Sequence, residues 1–203
     1  MGSIDHRALV VATNNAHKLR EFRRLFPGFA LCSPEQSGCT FSYEEAGSSY
    51  LDNALGKAMH LYNLVGSPVL ADDSGLEVPG LGGEPGIYSS RYGSPDGKEK
   101  LSDSERNTYL LRRVRGLSDR RCFFVCCMVV VLDGKRFVSV QETFHGVLGT
   151  SPRGTGGFGY DPVVYLPEQD KTVAELDEAE KDAVSHRGKA ARRIMSLLAE
   201  RGF

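Results

Sequence analysis

The stretch GTGGFGYDPVVYLP, residues 154–167, contains a G-x-G-x-x-G pattern in Gly154, Gly156 and Gly159. Its reading decides between two kinds of fold. In a dinucleotide-binding domain the pattern follows a strand, opens a helix, and is succeeded about 20 residues later by an acid that meets the ribose. Here Pro162 follows closely and biases its neighbour away from helical backbone, and no apolar residues recur at helical spacing behind it. The run VVYLP reads instead as a strand. The dinucleotide context is absent, so the glycines serve another end. On both sides of Phe158 they would let backbone N–H groups approach a ligand and leave one ring face bare. A purine stacked there would contribute about 1–3 kcal/mol, as in other base–aromatic contacts. A phenylalanine plugging the core from a glycine loop is the structural alternative.

The rest of the chain is that of an ordinary globular protein. It has 203 residues, 40% hydrophobic and 25% charged, with a formal net charge of −1. That length accommodates one large lobe or two small ones around a substantial core. A near-neutral total supplies no field for gripping a nucleic-acid polymer, so any phosphate site must be built from local charge. No apolar run approaches the roughly 20 residues of a membrane span, and the start lacks a signal-like segment. The expectation is a cytoplasmic protein that binds neither membrane nor polynucleotide. Cys32, Cys39, Cys122, Cys126 and Cys127 form no C-x-x-C, which favours reduced thiols packed as small apolar groups.

Periodicity predicts a buried strand over 7–13 and an amphipathic helix over 15–26 with Leu19, Phe22 and Phe26 inward. A second helix is expected over 49–65, capped by Ser49, with Leu51, Leu55, Met59 and Tyr62 as its apolar stripe. The segment PVLADD, 68–73, reads as a strand ending at Ser74 and Gly75, which can turn sharply. A third helix is expected over 103–116. Two long β-rich runs flank Asp133 and Gly134, a hairpin signal. Thr172 and Glu175 form a capping box, and Ile194, Leu197 and Leu198 mark a last helix stopped by Gly202. Helices between early strands and a later hairpin predict an α/β protein with a mixed sheet.

Four segments carry groups suited to chemistry. Residues 13–18 (Thr13, Asn14, Asn15, Ala16, His17, Lys18) join the first strand to the first helix, where free N–H groups and the helix dipole attract anions. Asn14 or Asn15 capping the helix beside a solvated Lys18 is the plainer reading. Asp72 and Asp73 close a buried strand; hard cations such as Mg²⁺ bind carboxylates and bridge to phosphates, and a carboxylate can deprotonate an attacking water. Alternation along a strand sends the two to opposite faces. Glu44 and Glu45 precede a helix on which Asn53 and Lys57 share a face. Lys181, His186, Arg187 and Lys189 gather positive charge near Ser185, where a helix is expected to start.

In this order the motifs resemble the inosine triphosphate pyrophosphatases. The resemblance rests on ATNNAHKLREF, EEAGSSYLDNALGKA, LADDSGLEVPGLGGEPGIYSSRY, GTGGFGYDPVVY and EKDAVSHRGKA, and covers nearly the whole chain. It implies one domain over 1–203, an elongated mixed sheet flanked by helices, and two lobes around a deep cleft, in a homodimer. It further implies Mg²⁺-dependent hydrolysis of ITP, dITP and XTP to the monophosphate and pyrophosphate. Thr13, Asn15, Lys18 and Lys57 would hold the triphosphate. Glu44 and Asp73 would serve the metal, with Glu45 and Asp72 close by. Asp73 would also be the catalytic base and Ser74 a substrate contact. Phe158 would stack on the base beside Lys181, with Gly159, Tyr160 and Asp161 lining the pocket. His186 and Arg187 would face the 6-keto edge. Asn14 replaces a common glycine, and His17 precedes the lysine, so the grip of this loop on phosphate is open to change. The competing readings are a phosphohydrolase releasing orthophosphate, a silent nucleotide-binding module and an NAD-dependent oxidoreductase.

Overall fold

The computed structural model describes residues 8–97 and 99–203. Arg7, which heads the expected first strand, lies outside the described residues. The strands are β1 (Ala8–Val11), β2 (Ala30–Cys32), β3 (Val69–Glu77), β4 (Pro85–Gly86), β5 (Arg121–Val131), β6 (Phe137–Leu148), β7 (Val164–Leu166) and β8 (Lys171–Thr172). The helices are α1 (Ala16–Leu25), α2 (Tyr50–Val65), α3 (Asp103–Arg113), α4 (Glu178–Val184) and α5 (His186–Ala199). Strands hydrogen-bond in the order β2-β1-β3-β5-β6-β7-β8, with β4 on β3. β1 runs parallel to β2 and β3, whereas β4 on β3 and the β6-β7-β8 run are antiparallel. The sheet is therefore mixed, and the reason is local. Parallel neighbours need long crossovers, which α1 and α2 supply, while short turns can join only antiparallel ones.

The chain divides into two compact units. The described part of the first comprises residues 8–73, 126–142 and 187–203. Its core gathers Leu9 and Val11 of β1, Phe22, Leu25 and Phe26 of the first helical segment, Leu70 of β3, Met128 and Val130 of β5, and Ile194 and Leu198 of α5. The described part of the second comprises residues 74–97, 99–125 and 143–186. Leu76, Leu110, Phe124, Phe144, Leu148, Val163 and Val173 are central to its core.

Two expectations need correction. Ser74 and Gly75 do not turn. β3 continues to Glu77 because Leu76 and Glu77 pair with Gly86 and Pro85 of β4. On α2 the buried face is Tyr50, Asn53, Ala54, Lys57, Ala58 and Leu61, while Leu51 of the expected stripe is 40% exposed. The large apolar side chains suggested one phase, and the need to turn Asn53 and Lys57 inward set another. The capping box of Thr172 and Glu175 is present, yet it opens only a 3₁₀ turn; Asp177 caps α4 with Glu180. Cys122, Cys126 and Cys127 are buried, and all five cysteines are thiols outside any disulfide. Burial pushes Cys122 up to about 12 and Cys127 up to about 11, so both stay protonated.

The phase of α2 is testable by truncation. Leu61 is wholly buried and Leu51 is not. Leu61→Ala should cost about 2–5 kcal/mol in urea unfolding, whereas Leu51→Ala should stay within about 0.5 kcal/mol. Equal losses would restore the Leu51 face to the core.

Candidate active site

In the first unit the site grows from β3. Its residues are buried on both faces through the middle of the strand, and two consecutive ones are aspartates, Asp72 at 2% and Asp73 at 5% exposure. A buried carboxylate must find cations or donors. Strand alternation divides the task. Asp72 meets Lys18 Nζ at 2.9 Å through Oδ1 and Arg187 NH2 at 3.0 Å through Oδ2. Asp73 accepts a hydrogen bond from Asn53 Nδ2 at 3.0 Å and lies 3.6 Å from Lys57 Nζ.

Lys57 also donates to Glu45 Oε1 at 2.6 Å, so one ammonium bridges β3 to the acidic loop before α2. Burial opposes its charge, but the carboxylates of Asp73, Glu45 and Asp72 together hold its pKa above the ordinary lysine value. Burial pushes the Asp73 carboxyl up, only partly offset by Lys57, and Glu45 raises it further. Asn53 ties the same loop down by accepting the Gly47 N–H at 2.9 Å. Glu44, the expected metal carboxylate, is exposed; Glu45 is the acid brought to Lys57.

The first loop combines both readings of its sequence. Asn15 caps α1, its Oδ1 accepting from His17 N at 2.9 Å and Lys18 N at 3.3 Å. Thr13 Oγ1 accepts from Asn15 N, and Asn14 donates to Phe41 O at 2.9 Å, while Ala16 and His17 are exposed. Lys18 is not solvated: it reaches across to Asp72. Glu21, one turn after Lys18, is buried and accepts from Arg187 NH1.

Arg187 therefore holds two carboxylates at once, from 3% exposure. Burial works against its charge, and Asp72 and Glu21 more than compensate, raising its pKa. The resemblance sends Arg187 to the edge of a purine; the structure puts its guanidinium against Asp72 and Glu21.

The glycine loop belongs to the second unit. A side chain at Gly156 would put its Cβ 2.9 Å from Ala174 O, and one at Gly157 would strike the Asp161 carboxylate. These glycines permit close approach between protein segments, with Gly156 N donating to Ala174 O at 3.0 Å. After Tyr160 comes a single 3₁₀ turn and then β7, so the helix required by the dinucleotide reading does not form. Asp161 Oδ2 accepts from Phe158 N at 2.8 Å and Lys181 Nζ at 2.7 Å. Lys181 Nζ lies 5.0 Å from the partly exposed Phe158 ring. Tyr160 is buried and donates to Ser89 O at 2.8 Å. His186 stacks on Phe124 with centroids 5.0 Å apart and planes at 9°. Ser74 is half-buried on β3.

Glu21 was absent from the candidates read off the sequence, and Asn53 entered only as a neighbour of Lys57 with no role of its own. Glu21 had a signal, an acid three residues after Lys18 on the face that carries Phe22 and Leu25 inward. Asn53 had one in its place four residues before Lys57 on the same side of α2.

The class of protein this sheet and its charged strand define is met again among known proteins. The profile of the Ham1 family matches residues 9–197. This chain belongs to the Ham1 family. It is 45% identical over 182 residues to the dITP/XTP pyrophosphatase of Treponema denticola, covering 90% of this chain and 93% of that one. It is 44% identical over 191 residues to a Thermus thermophilus protein of the same name, covering 92% and 89%. Among solved structures, a HAM1 protein from Coxiella burnetii superposes with TM-score 0.85 at 34% identity, covering 95% of this chain and 98% of that one.

The buried pair predicts a stability effect. Arg187→Met would strand Asp72 and Glu21 without their shared cation, and should lower unfolding free energy by about 3–5 kcal/mol. Chemical denaturation measures it. An unchanged midpoint would mean that the guanidinium is not what keeps these acids buried.

Proposed function

We propose that this protein hydrolyses non-standard purine nucleoside triphosphates, dITP, ITP and XTP, to the nucleoside monophosphate and pyrophosphate. The observation that carries the reading is the Lys57 ammonium between Asp73 and Glu45, with Lys18 on Asp72. It occurs in a chain whose relatives are named dITP/XTP pyrophosphatases. Two lysines and adjacent carboxylates are what a metal–polyphosphate substrate requires.

Among the described residues no group of three or more His, Cys, Asp and Glu is gathered to hold a metal. The donor set nevertheless fits Mg²⁺. Asp73 and the Glu44–Glu45 pair offer hard oxygens, and burial, with the neighbouring Glu45 adding to it, raises the Asp73 pKa. Mg²⁺ takes one or two protein carboxylates and completes its shell with water and phosphate oxygens. When bound, it would neutralise phosphate charge and polarise the phosphoryl oxygens.

The chain's own groups do the rest. Lys18 and Lys57 are held within hydrogen-bond or ion-pair reach of their acids, so little side-chain freedom is lost when they turn to phosphate. Asp73 takes the proton of the water that attacks the α-phosphorus, and pyrophosphate leaves in line. A carboxyl raised by burial is a stronger base than an ordinary one, which suits that role. Arg187 and Lys18 each hold one oxygen of Asp72. Phe158 offers its ring to the purine beside Lys181. A donor opposite the 6-keto oxygen would select hypoxanthine and xanthine over adenine, because an unpaired buried polar group costs about 1–3 kcal/mol. The Mg²⁺ requirement, a homodimer and a cytoplasmic setting belong to this proposal. Among the described residues no helix is long and apolar enough to cross a membrane.

With dITP and Mg²⁺ the products should be dIMP and pyrophosphate, and chelation should stop turnover; dIDP with orthophosphate would establish the phosphohydrolase instead. Asp73→Asn should lower kcat by about 100-fold or more, on the scale of what a positioned base contributes. Near-normal turnover removes Asp73 from that role.

A further inference from the structure

Helix α3 carries none of the motifs tied to nucleotide chemistry, yet within the second unit it grips the loop that presents Phe158. Its N-terminus is fixed by a capping box: Ser102 Oγ accepts from Glu105 N at 3.3 Å, and the Glu105 carboxylate accepts from Ser102 N at 2.9 Å. From that anchored first turn the Asp103 carboxylate accepts the Gly159 N–H. One turn on, Asn107 Nδ2 donates to Gly159 O at 3.0 Å. Arg106, between them, donates to Ser90 O at 3.2 Å and Leu101 O at 2.6 Å, with its Cζ 5.9 Å from the Tyr160 ring centre. On the other flank Asp161 holds Phe158 N at 2.8 Å. The backbone is thus pinned on both sides of the aromatic residue.

Two details set this clamp apart from ordinary packing. Gly159 has φ +66°, and a Cβ there would meet nothing within 4 Å. The glycine answers a left-handed backbone rather than a lack of space, and a glycine has the most freedom to lose when ordered. Asn107 is 3% exposed, and its Oδ1 has no hydrogen-bond partner among the described residues. A buried bare carbonyl opposes folding. Such orphans in a native structure call for an explanation other than stability.

We infer that Asp103 and Asn107 are positioning residues for the nucleobase: by holding both polar groups of Gly159 they keep the Phe158 ring in one pose beside Lys181, and so determine base affinity and selectivity. The inference rests on the function proposed above. A shelf ordered before the ligand arrives removes an entropic cost from binding, and that cost falls on the base, not on the phosphates. Loss of the clamp therefore weakens purine binding and blurs discrimination among purines while sparing the chemical step.

Asp103→Ala alters a half-exposed side chain, and Asn107→Leu keeps the volume of a buried one. Calorimetric titration of each full-length variant with dIMP should show affinity about tenfold weaker than wild type, the scale of one immobilised loop contact. With dITP and Mg²⁺, KM should rise by a similar factor with kcat within about twofold, and the dITP:dGTP ratio of kcat/KM should fall. Asp103→Asn retains an acceptor oxygen and should recover most of the affinity, which a general loosening of the fold would not produce. Wild-type dIMP affinity and selectivity in both Asp103→Ala and Asn107→Leu would overturn the inference, as would a fall in kcat at unchanged KM. Product identity in the wild type judges the underlying reading separately. A wild type that binds dIMP but releases orthophosphate sinks that reading while the titration still decides the clamp. One that does not bind dIMP sinks both.

Discussion

Two consecutive carboxylates buried in the middle of β3 are the constraint on which the rest of the first unit depends. Neither can be left alone in an apolar interior. Pleating turns them to opposite faces, so each must be answered by a different part of the chain. Asp72 draws Lys18 from α1 and Arg187 from the start of α5; Asp73 draws Asn53 and Lys57 from α2. Three helices are thereby oriented by two side chains, and α2 turns a lysine inward at the expense of Leu51. Arrangements of this kind are weak sources of net stability but strong ones of geometric definition, since breaking one partner is far costlier than replacing the whole set.

That definition is also chemically useful. A lysine bridging Asp73 and Glu45 keeps mutually repelling carboxylates at close quarters. The second unit faces a different constraint, the packing of a glycine loop around Phe158. There the glycines of 154–159 let the loop lie against Ala174 and Asp161, and polar side chains hold the peptides around Phe158. Charge organises one unit and backbone fit the other.

Much of this was legible in the residues. A first-helix cap at Asn14 or Asn15, which the structure gives to Asn15, the cap at Ser49, the hairpin at Asp133 and Gly134, and the rejection of a helix after Gly159 all followed from local chemistry within a few residues. So did the alternation of Asp72 and Asp73. The phase of α2 was not legible, because hydrophobicity alone weighs Leu51 above Lys57 and has no knowledge of Asp73 farther along the chain. The turn expected at Ser74 failed for a similar reason: pairing with β4 outweighs the local tendency of Ser-Gly to bend.

By itself, then, the sequence determined the element types, their caps, the mixed character of the sheet and the family, since these depend on spacing along the chain and on motifs in order. Only the tertiary structure decided that Arg187 joins Asp72 to Glu21, that Glu45 rather than Glu44 meets Lys57, and that α3 holds Gly159. Those pairings join residues from 12 to 166 positions apart. They are chosen by which charges and amides are buried together, a property that no window of sequence contains.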